Sequence, residues 1–219
     1  MATTQAAIRG RPRTFDRDKA LRQAMEVFWE RGYDGTSLED LLKAMGGLAP
    51  PSFYAAFGSK EDLFVEVVEL YKRLNSGPVA VLEGGATARE SIEGMLKAAV
   101  EQFDQPGVGR GCLLVLGAPT RTRTNSAAHD KLLRLRQMPA EMLRKRLKRA
   151  IAEGELPATT PTEQIATFYA TVAHGLAIQA RDGVSTKMLI ATVDAAMAAW
   201  ESLTARRSKK VRRRSTART

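Results

Sequence analysis

The chain has 219 residues, 44% of them hydrophobic, and a formal charge of +10. That content supports one large helical unit or two small ones. The apolar runs are too short to span a membrane and the N-terminus lacks the apolar core of a secretory signal, so a cytoplasmic protein is expected; the lone cysteine, Cys112, excludes an internal disulfide, in keeping with a reducing compartment.

The positive charge sits at the two ends. RRSKKVRRRSTART at 206–219 carries eight basic residues and no acid, and the first thirteen residues add Arg9, Arg11 and Arg13. The remainder is close to neutral. Clustered positive charge suits an anionic polymer such as nucleic acid, and a membrane surface more weakly. The plainer alternative is a pair of solubilising tails.

Taken in chain order, the pattern is helical nearly throughout. Residues 16–31 place Leu21, Ala24, Met25 and Phe28 on one stripe, which predicts a helix stopped at Gly32. TSLE at 36–39 reads as a capping box, with Thr36 as N-cap and Glu39 reaching back to it, opening a second helix that Gly46 and Gly47 end. Pro50 and Pro51 can open a third, over about 51–57, because a proline in the first turn loses no helical hydrogen bond. SKED at 59–62 caps a fourth, to about Leu74, with Leu63, Phe64, Val67, Leu70 and Tyr71 on its buried side.

The texture then changes. NSGPVAVLEGGA at 75–86 reads as a linker, and TARE at 87–90 caps a helix through Phe103. CLLVLGA is a short apolar segment, and a long amphipathic helix follows to about Ala152, with Pro139 predicting a kink or break. TPTE at 160–163 opens a helix to about Arg181, with Thr160 as its cap, and Ser185 starts the last helix, to about Leu203. VAVLE and CLLVL have strand-like composition but no partner strand, so an all-α chain is expected. The basic tail has no periodicity and is expected to be disordered. The resulting division is a basic arm over 1–14, an N-terminal helical unit over 15–75, a second helical unit over 76–204 and a basic tail over 205–219.

The first three helices fall within some forty residues, and a tight turn joins the second to the third, as a helix-turn-helix requires. In the third helix Phe53 and Phe57 stand one turn apart and should bury against the first two. Pro51, Ser52, Tyr54, Ala55 and Ala56 are left for the exterior. Small residues let a helix backbone approach base edges, an alanine methyl can meet a thymine methyl, and Ser52 can bond a base edge or phosphate. The Tyr54 hydroxyl suits a phosphate oxygen. Lys60, in the first turn of the fourth helix, opposes the helix dipole, so helix stability does not explain it; a phosphate there would meet backbone N–H groups and the ammonium together. Thr36 and Ser37 at the start of the second helix fit the same logic.

The stretch RGRPRTFDRDKALRQAMEVFWERGYDGTSLEDLLKAMG, followed by PPSFYAAFGSKEDLF, resembles the DNA-binding domain of the tetracycline-repressor (TetR) family of bacterial transcriptional regulators. The match runs from about Arg9 to Tyr71, with the GYDGTS turn, Tyr54, Phe57, Gly58 and Lys60 in order. GGLAPPS is one residue longer than that family's usual turn before the third helix. The resemblance implies that the third helix enters the major groove with Ser52, Ala55 and Ala56 facing bases, and that Thr36, Tyr54 and Lys60 contact phosphates. It also implies that Arg9, Arg11 and Arg13 reach the backbone or minor groove. The C-terminal part resembles the family in layout and in RGCLLV, so the effector does not carry over.

GVGRG at 107–111 precedes an apolar run instead of following a strand, and reads as a turn. His129 and His174 share no metal-ligand or triad spacing with Cys112 or a carboxylate pair, so no metal, cofactor or catalytic site is expected. Phe103, Cys112, Met142, Phe168, Tyr169 and His174 are candidates to line an effector pocket, although residues at such spacing are more often plain core. The helices at about 161–181 and 186–203 are candidates for a four-helix homodimer interface, with Ala166, Ala170, Ala173, Ala177 and Ala180 as a smooth packing face; the same pattern permits packing within one subunit. The expected protein is a homodimeric repressor of a double-stranded DNA operator, released by a small-molecule effector and not an enzyme. The competing expectation is an architectural or non-specific nucleic-acid binder driven by its basic tails.

Overall fold

The computed structural model describes residues 15–103 and 110–205; Arg9, Arg11, Arg13 and the tail 206–219 lie outside them. Among the described residues the chain is helical without strands. The elements are α1 (Arg17–Arg31), α2 (Leu38–Ala44), α3 (Pro50–Phe57), α4 (Lys60–Leu74), α5 (Gly77–Gly84), α6 (Ala88–Phe103), α7 (Leu113–Leu116), α8 (Ser126–Ala152), α9 (Thr162–Arg181), α10 (Thr186–Ala198) and α11 (Trp200–Thr204). Among these, none is long and apolar enough to cross a membrane.

Side-chain caps decide several helix starts. Asp16 accepts from Lys19 N–H at α1, Ser59 from Asp62 N–H at α4, and Ser185 from Met188 N–H at α10. At α2 the expected cap is displaced by one residue. Ser37, not Thr36, is the N-cap, and Asp40, not Glu39, closes the capping box. Thr36 is only 1% exposed and its hydroxyl donates to Gly32 O at 2.6 Å, so it is spent inside. The α2–α3 turn needs left-handed backbone at two successive residues, Gly46 and Gly47 (φ 82 and 77), a conformation that other residues reach only at a cost.

Three further expectations are corrected. Residues 77–84 form α5 instead of a linker, because Leu82 is buried and α5 lies so close on α6 that a Cβ at Gly94 would stand 2.7 Å from Val81 Cγ1. CLLVL holds the single turn α7 behind Cys112, and α8 is not broken at Pro139 but runs on as one helix of 27 residues. At α9 the helix starts at Thr162 after Pro161, while Thr160 is buried without a side-chain cap bond.

The buried side chains form two cores. The first joins α1–α4, built on Phe28, Phe53, Phe64 and Leu63, and it also takes in Leu113, Ala128, Leu132 and Leu135 from α7 and the start of α8. The second joins α6, α8, α9 and α10 around Ile92, Leu96, Leu143, Tyr169 and Val193. The alanine face of α9 belongs to this second core: Ala166, Ala170, Ala177 and Ala180 are buried within the chain.

Candidate nucleic-acid interface and effector cavity

The orientation of α3 follows from its two aromatics. Phe53 and Phe57 are buried, and Phe57 takes the edge of Phe15 at 6.1 Å and the Arg17 guanidinium at 4.7 Å from its ring centre. Arg17 also donates to Ala56 O through Nε and Nη2, both at 3.3 Å, and pairs with Glu66 of α4 at 2.6 Å. One side chain thus ties α1, α3 and α4 together. The pair is exposed and contributes little to stability, about 0–1 kcal/mol, but it fixes the angle at which α3 stands.

Pro51, Ser52, Tyr54 and Ala55 are left on the exposed side, Tyr54 at 53%. Ala56 does not join them: it is half-buried against the first core, with its carbonyl held by Arg17. Helix α3 starts at Pro50, one residue earlier than expected. Ser37 is exposed at the start of α2, whereas Thr36 faces inward and offers no hydroxyl to a phosphate. Lys60 stands at the first residue of α4 with its Nζ 4.3 Å from the centre of the Tyr33 ring. Burial pushes its ammonium down from the ordinary lysine value, while Asp34 and Asp40 act the other way. The ammonium is held in place by the ring instead of trailing in solvent.

The DNA-binding unit is clasped by the body through main-chain groups. Tyr33 N–H donates to Gly117 O at 2.7 Å, and a Cβ at Gly32 (φ 72) would stand 3.2 Å from that same oxygen, so only glycine allows the approach. The buried Asn125 amide donates to Asp34 at 2.6 Å and to Thr120 O at 2.9 Å. Lys131 of α8 pairs with Glu69 of α4 at 2.7 Å. Arg181, at the end of α9, donates to Glu30 O at 2.8 Å and to Trp29 O.

Between α4, α5, α6, α8 and α9 lies a cavity of about 160 Å³. Of the six expected pocket residues, Phe103, Cys112, Met142 and His174 line it. Phe168 and Tyr169 do not. Phe168 is 37% exposed on the outside of α9, and Tyr169 is buried in the second core beside Trp200, its hydroxyl on Ala196 O and its pKa pushed up to about 12 by burial. Burial also raises the Cys112 thiol, which makes it an unreactive, small apolar group. Burial and the neighbouring Arg136 together lower His174. Tyr71 lines the cavity from α4 and stacks edge-on against Trp29 of α1 at 4.9 Å, so the cavity wall touches the DNA-binding unit directly.

Sequence reasoning missed Arg17, Arg136 and Arg181. Each is an arginine in an amphipathic helix, and its partner lies 39, 22 or 151 residues away, so no local spacing marks it.

A helix-turn-helix with a small-residue face turned outward, clasped by a helical body that carries a largely apolar cavity, defines a DNA-binding regulator. Comparison with known proteins agrees. A family model described as bacterial regulatory proteins of the tetR family matches residues 20–67, and one for the tetracyclin repressor-like C-terminal domain matches 88–182. The chain is 32% identical over 197 residues to the HTH-type transcriptional repressor ComR of Escherichia coli, covering 89% of this chain and 93% of that protein. It is 30% identical over 195 residues to the repressor BdcR of the same organism, covering 89% and 92%. A cysteine mutant of the TetR family regulator CifR, solved in complex with 26 bp double-strand operator DNA, superposes with TM-score 0.82 at 46% identity, covering 87% of this chain and all of that one. The chain belongs to the TetR family of bacterial transcriptional regulators, and its function is DNA-binding control of transcription.

Proposed function

We propose that this chain is a repressor: two copies seat their α3 helices in the major groove of a pseudo-palindromic operator and leave it when a small, partly apolar effector fills the cavity. The observation that carries the reading is the division of α3 into a buried aromatic side and an exposed side made of Pro51, Ser52, Tyr54 and Ala55. Ser52 and Ala55 meet base edges, while Tyr54, Ser37 and Lys60 meet phosphates. The arm with Arg9, Arg11 and Arg13 adds contacts to the backbone or minor groove.

Two-fold symmetry in the operator demands a two-fold protein. The surface that supports a dimer is the outer side of α9 and α10. Phe168, Ile178 and Met188 are exposed there, with Ala191, Thr192 and Ala195 beside them, and a Cβ at Gly175 would meet nothing within 4 Å. On α9 this face is not the expected alanine face, because most of those alanines are already buried within the subunit. An effector releases DNA only as far as it prefers the arrangement in which the two α3 helices no longer match the half-sites. Tyr71, which lines the cavity from α4, is a direct route for that preference.

Operator selection from random DNA, followed by removal of 206–219, tests this against tail-driven binding. A repressor keeps its preference for the selected sequence and loses general affinity alone. Loss of all sequence preference with the tail would overturn the proposal.

A further inference from the structure

The cavity carries one formal charge and does not neutralise it. Arg136, from the middle of α8, is the sole charged side chain among the residues lining it. Among the described residues no carboxylate pairs with Arg136; its Nη1 reaches the Leu114 carbonyl oxygen at 3.4 Å, long for such a bond. Burial pushes the guanidinium down from its ordinary value, a sign of lost hydration, yet a guanidinium does not deprotonate in a protein. Arg136 is half-buried, and one donor of its fixed fork reaches a protein acceptor, which leaves the others open to solvent or to a ligand. His174 lies close enough to feel that charge, which together with burial holds its ring below the ordinary histidine value. The ring is neutral near pH 7 and keeps one N–H to donate. The remaining wall is largely apolar, from Leu82, Met95, Ala99, Phe103 and Met142, with Tyr71, Asn75 and Gln102 as its neutral polar side chains.

We infer that the ligand of this cavity is a compact apolar monocarboxylate, its hydrocarbon part against Leu82, Met95 and Phe103 and its carboxylate on Arg136, with His174 as a second donor. This deepens the effector reading above and rests on it. Three properties select the class. Size comes first: an engineered apolar cavity of about 150 Å³ holds a benzene ring, so about 160 Å³ suits one ring or a short branched chain. Charge comes second: a half-buried cation gains from an anion, and an amine would meet like charge. Shape comes third: the planar fork of arginine matches the two oxygens of a carboxylate.

Calorimetric titration of the full chain, without DNA, with benzoate against benzamide and isovalerate against isovaleramide tests the inference. At least one acid should bind about tenfold or more tighter than its amide, the preference expected of one charge-assisted hydrogen-bonded pair. Arg136→Met should remove that preference and Arg136→Lys should restore part of it, with thermal melting as the check on folding. Should the Met variant fail to fold, the acid–amide comparison on the unaltered chain and on His174→Gln still decides. Amides binding as tightly as acids, a preference surviving Arg136→Met, or no acid binding by about 10 mM would overturn the inference. An acid that binds but leaves operator in place, read by fluorescence anisotropy, would count against release by effector and leave the ligand class standing.

Discussion

Arg181, in the last turn of α9, donates to the carbonyl oxygens of Glu30 and Trp29, the last turn of α1. A side chain of the body thus closes the end of a helix of the DNA-binding unit, where the helix dipole favours a cation. Removing one partner of such a charged hydrogen bond costs about 1–3 kcal/mol. Arg181→Ala should lower the unfolding free energy by about that amount and weaken the response of DNA affinity to any effector, since the two units lose a shared contact. Chemical denaturation and anisotropy read the two effects separately. A variant as stable and as responsive as the parent would show that this contact is incidental.

Arg17 gives the opposite pattern. Its ion pair with Glu66 is exposed and contributes no more than about 1 kcal/mol, so the stability lost in Arg17→Ala comes chiefly from its bonds to Ala56 O and its contact with the Phe57 ring. The substitution frees α3 from α1 and α4, and the ratio of operator to random-DNA affinity should fall. Competition binding at fixed salt measures that ratio. An unchanged ratio would mean that Phe53 and Phe57 alone set the angle of α3.

Tyr54→Phe and Lys60→Ala should weaken binding to all sequences alike, and Lys60→Ala should lower the salt slope by about one. Ala55→Leu should change base preference, because Ala55 is exposed on α3. Ala56 is a poor choice for that experiment, since a larger side chain there also disturbs the first core. A footprint of Lys60→Ala indistinguishable from the parent would remove the phosphate assignment.

Acid tests the cap of α2. Hydrogen bonds from the Ser37 side chain and backbone, with help from Arg31, bring Asp40 down from 3.8 to about 2. A carboxylate whose folded value is lowered stabilises fully above its unfolded value and loses that contribution as pH falls through the folded one. The cap should therefore be intact at pH 5 and fade between about pH 4 and pH 2. Carboxyl NMR titration of Asp40 reads it; a midpoint near 3.8 would mean that the capping box does not persist in solution.

Much of this architecture could be read from the sequence where the signal is local. The stripe of α1, the aromatics of α3 and the serine caps of α4 and α10 depend on neighbours within a turn or two. Reading failed where tertiary contacts decide. Residues 77–84 have the glycines and proline of a linker, and packing on Gly94 makes them a helix. TSLED offers two hydroxyls and two acids one residue apart, and the close approach of Gly32 to Gly117 draws Thr36 inward and leaves Ser37 to cap. Periodicity revealed an alanine face on α9 but not which neighbour it meets. In the cavity Phe103, Cys112, Met142 and His174 were legible as candidates, while Arg136 was hidden among the other bases of α8.

Methylation interference on the selected operator, reporting contacts to guanine N7 in the major groove, tests the seating of α3 most directly. Two clusters of interference are expected, related by the operator's two-fold and separated by about one helical turn, 10–10.5 bp, or a multiple of it. A single cluster, or binding indifferent to major-groove methylation, would contradict it.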